Sequence, residues 1–157
     1  MKTKEMLIVM REVEERNSEH EQEWQESQEK PLLRMLLIDV WNSNAQFVEI
    51  KDDLDDFYRL LNCDTIDIVQ RSIGGVVYEV ICDDNGLFRH DRRMSAMDKR
   101  HNQQLVGNLL ICKYGGDGEL AGLTDGDCMH LLKYIRGIRK LNNPEIVWPV
   151  LTCVEYC

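Results

Sequence analysis

Val76 to Asp127 constrains this chain more than any other stretch. Two apolar runs, Val76–Cys82 and Leu105–Tyr114, each end in an acidic, glycine-bearing turn: Asp83-Asp84-Asn85-Gly86 and Gly115-Gly116-Asp117-Gly118. Gly74-Gly75 precedes the first run and supplies the positive φ angles that a two-residue hairpin requires. Ile66–Val69 before it and Val76–Cys82 after it therefore read as paired antiparallel strands.

The flanks extend this pattern. Leu32–Trp41 and Phe47–Ile50 read as strands around the turn Asn42-Ser43-Asn44. Asp52 or Asp53 caps a helix over Leu54–Leu61 that ends near Asn62. Residues 87–104 read as a polar loop with a short helix near Ser95–Arg100, and Leu105–Tyr114 as one buried strand. Glu119–Leu123 is short and extended. Thr124, with Asp127 three residues on, signals an N-cap. The helix behind it carries Met129, Leu132, Ile135 and Ile138, with Lys133, Arg136, Arg139 and Lys140 at its C-terminal end. Asn142-Asn143-Pro144 stops it. Ile146–Val154 is a final strand, which Pro149 assigns to a sheet edge. The order predicts an α+β domain over residues 31–157: a mainly antiparallel sheet with helices packed on one face.

Residues 1–30 are distinct in composition, with nine glutamates against five Lys and Arg. Met6, Met10, Val13, Asn17, His20 and Trp24 recur at helical spacing, so the segment predicts an acidic N-terminal helix, firm to about residue 16. Its stripe could dock on the domain, on a partner, or on a second copy in a homodimer. The chain has 157 residues and a net charge of −9, which disfavours wholesale nucleic-acid binding. Cys63, Cys82, Cys112, Cys128, Cys153 and Cys157 form no CxxC pair, so reduced and mostly buried thiols in a cytoplasmic protein are expected rather than a zinc site. No signal peptide or membrane-spanning run is read, and no membrane partner is expected.

Leu54–Leu61, Ile66–Val69, Tyr78–Gly86, Gly107–Lys113 and Leu123-Thr124-Asp125 together resemble an uncharacterised domain family encoded largely by bacteriophages, plasmids and conjugative elements. The strand exit Ile81-Cys82-Asp83-Asp84-Asn85-Gly86 carries the family's cysteine, acid and glycine. The segment that usually follows, leucine-proline-x-asparagine-arginine, reads Leu87-Phe88-Arg89-His90-Asp91-Arg92-Arg93 here, without the proline and asparagine. The resemblance spans about residues 47–135. It implies a mobile-element setting, in some members beside antirestriction domains, and no activity.

The candidate binding residues are Arg89, His90, Arg92, Arg93, Lys99, Arg100 and His101. Five cations stand against Asp91 and Asp98 in an otherwise acidic chain. Such a loop suits phosphate, nucleic acid or an acidic protein surface; a solvated loop paired with the protein's own carboxylates is the plain alternative. Turn chemistry accounts for the aspartates at 83–84 and 117, and capping for Asp52, Asp53, Asp55 and Asp56. No catalytic motif, cofactor motif or metal-ligand spacing is found. The expected function is a non-enzymatic interaction protein with a macromolecular partner, most simply a protein and with a role in antidefence. A nucleic-acid module using the 89–101 loop is the second reading. A ligand binder or enzyme without a visible motif is the third.

Overall fold

The computed structural model describes residues 30–157, so the predicted N-terminal helix lies outside the described residues. Gly74-Gly75 turns the chain between β3 (Ile66–Ile73) and β4 (Val76–Asp83), which pair in unbroken antiparallel register from Ile66↔Asp83 to Ile73↔Val76. Gly74 has φ +58°, and a Cβ there would sit 2.2 Å from the Tyr134 ring, so both its backbone and its surroundings exclude a side chain.

A seven-stranded sheet grows from this hairpin. Its strands are β1 (Leu33–Asp39), β2 (Asn44–Ile50), β3, β4, β7 (Leu109–Gly116), β8 (Glu119–Ala121) and β11 (Val154–Tyr156). The order is β11-β3-β4-β7-β1-β2, with β8 on β7. A four-stranded sheet has the order β6-β5-β10-β9, from β5 (Met94–Met97), β6 (Gln103–Val106), β9 (Ile135–Lys140) and β10 (Asn143–Leu151). All pairs are antiparallel except β5 with β10.

The central strands are buried on both faces, which is why they read as continuous apolar runs. Leu36, Ile38, Val80 and Ile111 face one way, in a core shared with Ala96, Trp148 and Val150 of the small sheet. Met35, Leu37, Ile81, Leu110 and Cys112 face the other way, against Phe57 and Leu61 of helix α1 (Leu54–Leu61). Burying each such aliphatic side chain contributes roughly 1.5–3 kcal/mol. Helix α2 (Asp125–Leu132) sends Leu131 into the first core, so the helices join opposite faces rather than the single face predicted.

The predicted caps are present. Asp53 Oδ1 accepts from the Asp55 amide at 2.9 Å, and Asn62 closes α1 in the left-handed region. Thr124 and Asp127 form a capping box, at 3.1 and 3.0 Å.

Four expectations need correction, each because a distant strand decides local structure. Ser95–Arg100 is not helical: Ser95, Ala96 and Met97 are buried in β5, and Ala96 pairs with Leu105 and Leu151. Leu105–Tyr114 is not one strand: Gly107, at φ +77°, lets the chain leave β6 in the small sheet and enter β7 in the large one. Helix α2 stops at Leu132. The Thr152 amide and hydroxyl both donate to the Tyr134 carbonyl, and Ile135–Arg139 pair with β10. Gly137 would also have cost a helix about 1 kcal/mol. Finally, β10 is interior in strand order. Pro149 is tolerated because, among the described residues, only β9 pairs with it there, while β5 meets β10 at Leu151.

All six cysteines are free thiols: Cys63, Cys82 and Cys112 are buried, Cys128 and Cys153 half-buried, and Cys157 exposed. Burial pushes the Cys112 thiol up to about 12 and the Cys82 thiol up to about 11.

Candidate functional site

The acidic turn after β4 sets the site. Asp83 Oδ1 accepts from the Asn85 amide at 2.9 Å, and a 3-10 turn over Gly86–Phe88 follows. Gly86 is buried against Val106, where a Cβ would come within 3.1 Å of Val106 Cγ2. The tight turn throws the next two side chains outward: Leu87 is 60% exposed and Phe88 86%. An isolated apolar residue at the surface is common, but an aromatic this exposed beside a second aromatic is the kind of patch that binds.

Opposite Phe88 stands the β1–β2 turn. The Asp39 carboxylate accepts from the amides of Trp41 and Asn42 at 3.1 and 3.0 Å, which fixes the tryptophan. Trp41, Asn62, Phe88, Arg89, His90 and Asp91 line a shallow open depression of about 480 Å³. Behind Trp41 lies a crevice of about 10 Å³, room for little more than a water, between Arg93 and Asn108. Asn108 is buried and holds this floor together: its Oδ1 accepts from the Val40 amide at 2.9 Å, and its Nδ2 donates to the Leu60 carbonyl at 3.1 Å.

The structure splits the seven predicted residues into two groups. Arg89, His90, Arg92 and Arg93 lie beside the depression or the crevice behind it. Arg89 pairs with Asp83 at 2.8 Å and donates to the Asn62 carbonyl at 2.6 Å. Arg92 donates to the Leu87 carbonyl at 3.2 Å. Arg93 donates to the Val40 carbonyl at 2.9 Å, with its guanidinium 5.0 Å from the Trp41 ring and 5.1 Å from the Trp148 ring. Trp148 is held in turn by a bond from Nε1 to the Met94 carbonyl at 2.9 Å.

Lys99, Arg100 and His101 lie at the other end of β5, in the turn to β6. Asp98 organises that turn by accepting from the Arg100 and Asn102 amides, both at 2.9 Å. These bonds, the Asn102 amide foremost, hold the Asp98 carboxyl below its usual range. His101 takes the left-handed conformation at φ 67°. The Lys99 side chain has no partner among the described residues, and the Arg100 charge acts on the Asp98 carboxylate.

Sequence reasoning found the arginines and missed Trp41, Asn62, Phe88 and Asn108. Phe88 carried a signal: it is an aromatic inside a polar segment with no apolar neighbour at helix or strand spacing. Asn108 carried none, because its two partners lie 68 and 48 residues away.

Among the described residues, no group of three or more His, Cys, Asp or Glu side chains is arranged to hold a metal ion, and no helix is long and apolar enough to cross a membrane. No curated protein and no solved structure matches the chain. A family model described as "Domain of unknown function (DUF3846)" matches residues 33–136, from the start of β1 to the first residues of β9. The site residues from Trp41 to Asn108 all fall within that span, and this chain belongs to the DUF3846 family.

Proposed function

We propose that this protein is a non-enzymatic interaction module that grips a partner protein at the depression between Trp41 and Phe88. The observation that carries this reading is the 86% exposure of Phe88 on a depression that Trp41 and Arg89 also line. Tryptophan, other aromatics and arginine are the residues that dominate protein–protein contacts: the aromatics bury much area at little entropic cost, and arginine adds a planar set of hydrogen-bond donors. A protein fits better than a nucleic acid at this surface. Arg89, Arg92 and Arg93 direct their guanidinium groups to Asp83, backbone carbonyls and indole rings, which leaves less charge for phosphate. The family resemblance read from the sequence implies a mobile-element setting, and on that ground we infer a role in the host cytoplasm with a defence component as the target.

The test compares tagged wild type with Phe88→Ala in pull-downs from bacterial host lysate, once matching thermal unfolding shows that both are folded. The expected result is a stoichiometric partner whose affinity falls at least about tenfold in the variant. Recovery of no stoichiometric partner, or equal retention by Phe88→Ala, sinks the reading.

A further inference from the structure

Positive charge is segregated in this fold. Residues 94–106 and 133–151, which make up the small sheet and its turns, carry Lys99, Arg100, Lys133, Arg136, Arg139 and Lys140 against Asp98 and Glu145. The remainder of residues 32–157 carries eight Lys and Arg against seventeen Asp and Glu. The difference sharpens when partners are considered. Arg34, Arg59, Arg89 and Lys113 are in ion pairs, all in the acidic remainder. Lys99, Lys133, Arg139 and Lys140 have no side-chain partner among the described residues, and all four belong to the small sheet or its immediate flanks.

Three of these, Lys133, Arg139 and Lys140, lie on or just before β9. Among the described residues only β10 pairs with β9, so its outer edge presents unpaired backbone N–H and C=O groups. No acidic residue occurs from Lys133 to Pro144. Successive strand residues point to opposite faces, so Arg139 projects to one side of the sheet while Arg136 and Lys140 project to the other. A ligand lying across one face would meet only part of this charge. An extended chain laid along the edge would run between both rows and satisfy the backbone groups as well.

We propose that β9 is a docking edge for an extended acidic peptide segment of a partner, which adds as a further strand to the small sheet. The site is remote in sequence from Trp41 and Phe88, and the proposal stands without the reading given for that depression.

The experiment uses the full chain and a fluorescent peptide of about nine residues with alternating glutamate and valine, an ordinary strand length. Affinity should fall about tenfold in the double variant Arg139→Glu/Lys140→Glu and fall with added salt, while Phe88→Ala leaves it unchanged. In the wild type, the peptide should slow amide exchange on β9 and spare the other edge strands. Lack of peptide binding overturns the proposal. So does tight binding of oligothymidine in place of the peptide, lost in the same double variant, since the edge would then serve nucleic acid. A third contrary outcome is self-association of the double variant with unchanged peptide affinity, which would assign the cations to keeping copies of the chain apart.

Discussion

The two halves of the arginine-rich segment are both basic and stand in opposite structural situations. Arg89 and Arg93 turn inward, to Asp83, the Asn62 and Val40 carbonyls and two indole rings. Lys99 and Arg100, on the far side of a four-residue strand, have their side chains in solvent. Four residues of β5 span about 13 Å, enough to make the halves separate surfaces. A charge count in sequence therefore says little about which cations are available to a partner; that is decided by the carbonyls and rings the fold brings within reach.

The comparison can be broken by substitution. The largest effect is expected at Asn108, which supports the inward half. Asn108→Ala leaves the buried Val40 amide and the Leu60 carbonyl without their partner and should cost about 3 kcal/mol in urea unfolding. Arg93→Ala comes next, at about 2 kcal/mol, with a change in tryptophan emission as Trp41 and Trp148 lose the shared guanidinium. Arg89→Ala should cost about 1 kcal/mol, because the arginine is partly exposed although the Asp83 carboxylate is 6% exposed. Lys99→Ala and Arg100→Ala should leave unfolding within about 0.5 kcal/mol of wild type. If Arg100→Ala destabilises as much as Arg93→Ala, the two halves are not different in kind.

A finer test lies in the pH dependence of the outward turn. The Asp98 carboxyl is lowered in the folded protein, so its contribution is present above the ordinary carboxylate pKa of about 3.9 and is lost as pH falls through its lower folded value. Wild type should show a small loss of melting temperature in that acid window, and the component due to this turn should be absent in Asp98→Ala. A wild-type and variant pair with identical acid profiles would show that the turn holds without its carboxylate.

What could be read from sequence follows the range of the interaction responsible. The Gly74-Gly75 hairpin, the Asp53 cap and the Thr124–Asp127 box depend on residues within a few positions of one another, and each is legible. The segments misread as helix, Ser95–Arg100 and Ile135–Lys140, hold short apolar patterns compatible with either state. Both become strands because β10, which follows them in the chain, pairs with them. The site divides in the same way. Arginines in an acidic chain stand out by composition, whereas the meeting of Trp41 with Phe88, and the clamp by Asn108, exist only once β1, β4 and β7 are side by side.

The place of β10 in the small sheet also bears on synthesis. A ribosome makes β5, β6 and β9 before β10, yet β10 is the strand that joins β5 to β9. Until it emerges, β5 has only β6 beside it, β9 lacks its only partner among the described strands, and the core that Trp148, Val150 and Leu151 will fill stays open to water. Strand edges and apolar surface left open in this way invite aggregation and chaperone capture. The nascent chain thus passes through an interval in which β9 is bare on both sides, and a wrong strand could settle there before the right one arrives.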